Sequence, residues 1–177
     1  PAEGISLADK QAVTKAMLRS GAGIGEINCV RKHLSQIKGG RLAHACGDAR
    51  LITLAISDVP GDDPSVIASG PTVPDATTLA DARAIIEKRG IDLPASCKAA
   101  LDDPANETPK PGNPVFEQAE YKIVATPAAS LDAAAKTAER LGYRVVSFGA
   151  DVEGEARDVA AEHARIALEA VEAGDRV

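Results

Sequence analysis

The sequence predicts an α/β fold: a three-layer, Rossmann-like arrangement with helices on both faces of a mainly parallel sheet, present as part of a larger domain. Three observations predict it. The continuous apolar run "RLITLAIS" is bounded by polar turns, as a strand buried in a parallel sheet requires. The last third alternates strand and helix through "YKIVAT", "PAASLDAAAKTAERLG", "YRVVSFG" and "EGEARDVAAEHARIALEAVEAG", the pattern of a βαβα unit. Apolar residues at helical spacing fill much of the remainder.

Taken in order, Ser6 as N-cap with Asp9 three residues on starts a helix from Leu7 to about Ser20, with Val13, Ala16 and Met17 on one face. Gly21 and Gly23 break it. A second helix is expected from Ile24 to Gln36, its face made by Ile27, Val30 and Leu34, and Gly39 and Gly40 end it. The apolar run gives a strand from Leu51 to Ser57. In the turn-rich stretch that follows, Asp63 and Pro64 predict a short helix closed by Gly70 and Pro71, with free N–H groups at Ser65 and Val66. Helices are expected over 79–88 and 95–101, then a proline-rich surface loop, "DDPANETPKPGNPVFEQ". A strand over 121–125 meets Thr126 as N-cap and Pro127 at the first helical position. A third strand, 144–148, precedes the terminal helix. Three strands are few for a sheet covered on both faces. With Pro1 at the start, the single Met at position 17 and an end directly after a helix, the chain reads as cut from something longer.

Composition removes several function classes. Of 177 residues only 2% are aromatic, with no Trp, and the net charge is −6. Neither a stacking platform nor a broad basic surface is available for nucleic acid. Cys29, Cys46 and Cys97 form no C-x-x-C pair, which argues against zinc and disulfides and for a cytoplasmic protein. No apolar run approaches the roughly eighteen residues of a membrane span, and no signal peptide is expected. "GAGIG", 21–25, follows a helix, whereas a dinucleotide loop follows a strand, so it reads as a turn. There is no G-x-x-x-x-G-K-[ST]. His44 and Cys46 lack two further ligands, and His163 reads as surface.

Two stretches can carry chemistry. "VRKHLSQIKGGRLA" sets Arg31, Lys32, His33, Lys38 and Arg41 close together in an acidic chain. On a continuous helix Arg31 and Lys38 fall one heptad apart beside the apolar stripe, and Lys32 points away from it. The glycine pair lets backbone approach a ligand closely. Arg31, Lys38 and Arg41 therefore read as an anion clamp, with Asn28 and His33 as hydrogen-bonding neighbours; the competing reading is surface side chains snorkelling over the core. "SDVPGDDPSVIASGPT" starts at the carboxyl end of a strand, where open α/β sheets bind ligands. Asp58, Asp62 and Asp63 suit phosphate bridged by a hard cation such as Mg²⁺; otherwise they only cap a loop.

"NCVRKHLSQIKGGRLA" and "ISDVPGDDPSVIASGPTVPD" resemble the signature segments of the class II glycerate 2-kinases, the MOFRL-associated family whose members often carry the name hydroxypyruvate reductase. The likeness extends to "EGEARDVA" and covers essentially the whole chain. It implies that residues 1–177 are the later part of an N-terminal α/β domain, with a phosphate loop upstream and a MOFRL domain downstream, so this stretch alone should not catalyse. It implies ATP- and Mg²⁺-dependent phosphorylation of D-glycerate at the 2-hydroxyl. On that resemblance Arg31, Lys38 and Arg41 are the catalytic candidates and Asn28, Lys32, His33, Gly39 and Gly40 the substrate-binding ones. Ser57, Gly61, Ser65, Ser69, Gly70 and Thr72 fall to the nucleotide and Asp58 and Asp62 to the metal. The partners implied are glycerate and a nucleotide, with a homo-oligomer compatible. An NAD(P)H-dependent reductase would need a strand-G-x-G-x-x-G-helix unit, which these residues do not contain. A non-catalytic binding or oligomerisation module would fold and self-associate without binding nucleotide.

Overall fold

The computed structural model describes residues 1–176. Helix α1 (Leu7–Arg19) starts at the expected cap: Ser6 Oγ accepts from the Asp9 N–H at 3.0 Å, and the Asp9 carboxylate accepts from the Ser6 N–H at 3.4 Å. The "GAGIG" stretch is the turn into α2 (Ile24–His33), and the Glu26 carboxylate accepts from the Gly23 N–H at 3.1 Å. The next elements are α3 (Arg41–Cys46), β1 (Leu51–Ile56), α4 (Leu79–Lys88), α5 (Ala95–Asp102), β2 (Ala119–Ala125), α6 (Pro127–Arg140) and α7 (Ala156–Glu172). Helix α4 repeats the reciprocal cap with Thr78 and Asp81, and α6 starts with Thr126 and Pro127 as expected.

The chain divides into two compact units, Pro1–Ala55 with Asp63–Lys122, and Ile56–Asp62 with Ile123–Val177. In the first, α1, α2, α4 and α5 enclose an aliphatic core of Val13, Met17, Ile27, Val30, Leu34, Ala82, Ile86 and Leu101, with Cys29 and Cys97 buried as free thiols. Each large aliphatic chain buried there contributes about 1.5–3 kcal/mol. Ala2 N–H donates to Leu34 C=O at 3.1 Å, so the approach to α1 lies beside the end of α2. The second unit holds α6 and α7, with Phe148 stacked on His163 at 4.5 Å.

The α/β class holds, with a smaller sheet than expected. Strands β1 and β2 pair in parallel, through Leu51 N–H to Gln118 C=O and Ser57 N–H to Ala125 C=O. The expected strand at 144–148 does not form: among the described residues no strand pairs with it, Val146 and Phe148 stay exposed, and Arg144 N–H donates to Arg176 C=O. Helix α2 ends at His33 instead of Gln36 because Ser35 turns the chain, its Oγ accepting from the Ile37 and Lys38 N–H groups, each at 3.3 Å. Helix α3 is an addition to the elements expected from the sequence. The helix expected from Pro64 is absent. Its place is taken by a turn and a 3-10 turn at Ile67–Ser69, because Ala68 and Ser69 adopt φ of +53° and +63°.

Candidate functional site

The two distinctive stretches are joined backbone to backbone. Gly39 N–H donates to Ser69 C=O at 3.0 Å, Gly40 N–H to Gly70 C=O at 2.7 Å, and Leu42 N–H to Pro71 C=O at 3.1 Å. Both glycines lie at positive φ, +60° and +81°. A Cβ at Gly39 would sit 2.9 Å from Thr108 Cγ2, and one at Gly40 2.7 Å from Phe116 Cζ and 2.9 Å from Val73 O. The close approach these glycines permit is to the protein itself.

On that seam Asn28, Arg31, Lys38 and Ser69 come together. Asn28 Oδ1 accepts from Ser69 Oγ at 3.1 Å and from the Arg31 guanidinium at 3.4 Å, and Lys38 Nζ donates to Ala68 C=O at 2.7 Å. Lys38 follows α2 rather than continuing it, so the loop, and not a shared helical face, brings it to Arg31. The Ala68 carbonyl and the Ser69 side chain are aimed by left-handed backbone, which costs roughly 1 kcal/mol at each non-glycine residue.

A third cation, Lys10, lies within electrostatic reach of Arg31 and Lys38. Burial, then Arg31, then Lys10 pull the Lys38 ammonium below its ordinary value, and burial and Arg31 do the same to Lys10. Lys10, Arg31 and Lys38 form no ion pair among the described residues. Sequence reasoning passes over Lys10. The available signal is the short turn between α1 and α2, which makes them antiparallel and sets the start of one beside the end of the other.

Lys32, His33 and Arg41 take other positions. Lys32 is buried, not turned outward, and its Nζ meets Asp75 Oδ1 at 3.1 Å. Thr108 Oγ1 donates to the other Asp75 oxygen at 3.0 Å, and Thr77 donates to Oδ1 from its amide and hydroxyl. His33 is fully enclosed: Nδ1–H donates to Cys29 C=O at 2.9 Å, and Nε2 lies 3.1 Å from Glu107 Oε1. Burial would raise the Glu107 carboxyl, but Lys110, the Leu79 amide and His33 outweigh it and bring it down to about 2. Arg41 donates to Asn106 C=O and borders an open cavity of about 510 Å³ with His44, Glu107, Thr108, Lys110 and Asn113. Its Nε is buried with no partner among the described residues.

The second stretch is divided between the units. Ser65 N–H donates to Asp63 Oδ1 at 2.8 Å and Val66 N–H to Asp63 C=O at 3.0 Å, so the anion site expected of those amides is already occupied by the loop's own oxygens. Gly70 packs against Ser65, and Thr72 accepts from Thr53 Oγ1 at 2.8 Å. In the other unit Ser57 Oγ bonds the Val59 backbone, Asp58 is exposed, and Gly61 and Asp62 take φ of +76° and +54°. Asp62 Oδ1 is buried with no hydrogen-bond partner among the described residues. No group of three or more His, Cys, Asp or Glu placed to hold a metal occurs among the described residues, and no described helix is long and apolar enough to cross a membrane.

Comparison with known proteins gives a family model, "Domain of unknown function (DUF4147)", that matches residues 1–102. A relative from Agrobacterium vitis bearing a hydroxypyruvate reductase name is 54% identical over 174 residues, 98% of this chain and 39% of its own length. The D-glycerate 2-kinase of Thermotoga maritima is 41% identical over 158 residues, 89% of this chain and 36% of its own. Among solved structures, a glycerate kinase from Thermotoga maritima superposes with a TM-score of 0.70 at 43% identity, over 81% of this chain and 33% of that one. The chain thus spans about two fifths of the length of these relatives.

Proposed function

We propose, from the premise that the chain belongs to the DUF4147 family, that it is part of an enzyme passing the γ-phosphoryl group of ATP to the 2-hydroxyl of D-glycerate. In this reading the chain is the later part of an N-terminal α/β domain, the phosphate loop and MOFRL domain lie elsewhere in the protein, and the enzyme works in the cytoplasm.

The observation that carries the reading is the group of cations on the Gly39–Ser69 seam, without carboxylate partners among the described residues. Phosphoryl transfer asks little covalent chemistry of a protein; it asks for positioning and for neutralisation of charge spread over three phosphoryl oxygens. Arg31 and Lys38 supply that charge, Asn28 orients Arg31, and the Gly39–Gly40 seam fixes both loops. Lys32 and His33, enclosed and bonded, hold the loop from behind, and Arg41 belongs to the polar cavity beside it. Ser65, Ser69, Gly70 and Thr72 in the first unit, and Ser57 and Gly61 in the second, are the residues proposed for the nucleotide. The partnerless Asp62 oxygen would offer a ligand to Mg²⁺, with the exposed Asp58 as the second carboxylate proposed for it, since Mg²⁺ is commonly bound through one or two carboxylates. The metal's contribution when bound is neutralisation of phosphate charge.

The name of the Agrobacterium vitis relative favours a second reading, reduction of hydroxypyruvate by NADH. One assay of the full-length protein separates them: D-glycerate-dependent release of ADP is expected, with no oxidation of NADH by hydroxypyruvate. The opposite pattern overturns the kinase. Arg31→Ala or Lys38→Ala is expected to lower kcat/KM at least tenfold, about 1.4 kcal/mol of transition-state stabilisation.

A further inference from the structure

Lys10 has no place in the phosphoryl transfer proposed above, and three observations bear on it. Helices α1 and α2 form an antiparallel pair, and the bond from Ala2 N–H to Leu34 C=O fixes the start of α1 beside the end of α2, where Arg31 lies. Lys10 is half-buried there, and the carboxylate of the adjacent Asp9 accepts from the Ser6 N–H and from Ser96 Oγ at 2.9 Å. Asn28 spends its only side-chain acceptor on Ser69 and Arg31, so its NH₂ group remains as a donor.

The group therefore offers donors and positive charge, and none of its three cations is in an ion pair among the described residues. A single carboxylate would leave two of three cations uncompensated. A phosphate, with about two negative charges and several acceptor oxygens, matches the set. We propose that Lys10 is the third donor of this site, and that Lys10, Arg31 and Lys38 together bind a phosphate-bearing anion. The inference deepens the kinase reading and rests on it for the identity of that phosphate, which is that of the nucleotide or of phosphoglycerate. It also separates the roles within the sequence motif, since Arg31 and Lys38 go to phosphate and Arg41, pointing elsewhere, does not.

The test uses the full-length protein, its Lys10→Met variant, which keeps the apolar stem without the charge, and its Lys10→Arg variant. Each is titrated calorimetrically with inorganic phosphate, ADP and 2-phosphoglycerate, and its KM values for ATP and glycerate are measured. Lys10→Met is expected to weaken at least one of the three anions fivefold or more, and Lys10→Arg to restore most of that loss. The weakened anion identifies the source of the phosphate. A merely structural lysine would not give charge-dependent rescue with unchanged thermal unfolding. If ADP forms from glycerate yet Lys10→Met matches the wild type in every titration, the site falls and the kinase stands. If binding depends on Lys10 but no ADP forms, the kinase falls and the anion site stands.

Discussion

Lys32 and Asp75 have side-chain exposures of 7% and 1%, and Asp75 is held by Thr77 and Thr108 as well as by Lys32. Burial would raise the Asp75 carboxyl, but the Thr77 amide, the Thr77 hydroxyl and Lys32 together bring it below the usual range. Removing one partner strands the other charge in a dry place. Asp75→Asn or Lys32→Met should therefore cost about 3–5 kcal/mol in urea unfolding, and the double change Lys32→Met with Asp75→Leu should cost less than the sum. A different residue-scale effect acts at Ala68, whose φ of +53° suits glycine. Ala68→Gly should raise stability by about 0.5–1 kcal/mol by the same measurement. The sequence makes the cations of this region legible but not their directions. A helical wheel sets Arg31 and Lys38 beside the apolar stripe and turns Lys32 outward, and only Asp75, 43 positions after Lys32, makes Lys32 the buried one.

At the scale of elements, what the chain determines locally is legible. Helices α1, α4 and α6 start at Ser6, Thr78 and Thr126 because each cap is complete within four residues. The features that escape sequence reasoning depend on distant partners. Helix α2 stops early so that Gly39 and Gly40 can reach Ser69 and Gly70, the segment after Pro64 unwinds at Ala68 to meet them, and 144–148 has strand composition but no strand beside it among the described residues. The seam between the loops is thus a tertiary product, and it is fragile where it is tightest. Gly40→Ala would have to displace Phe116 or the Val73 carbonyl at an unfavourable φ. A loss of about 1–3 kcal/mol in unfolding, together with weaker phosphate binding, is expected.

For the molecule as a whole, acid is the informative perturbation. The Glu107 carboxyl lies near 2 in the folded chain against an ordinary 4.5, so the unfolded chain binds its proton first as pH falls. The stabilisation it provides is complete above about pH 4.5 and is lost progressively between there and about 2. Urea midpoints at pH 7 and pH 3 should differ more for the wild type than for Glu107→Gln. The same enclosed network has a use beyond stability. Cys29 C=O can only accept, so the His33 Nδ1 facing it carries a proton in the folded chain, and that proton is shut off from water. Such a proton exchanges slowly with solvent and gives a proton NMR line well separated from the amides. The motif therefore contains its own reporter, one that shows whether the loop behind Arg31 and Lys38 is intact in any variant before a ligand is added.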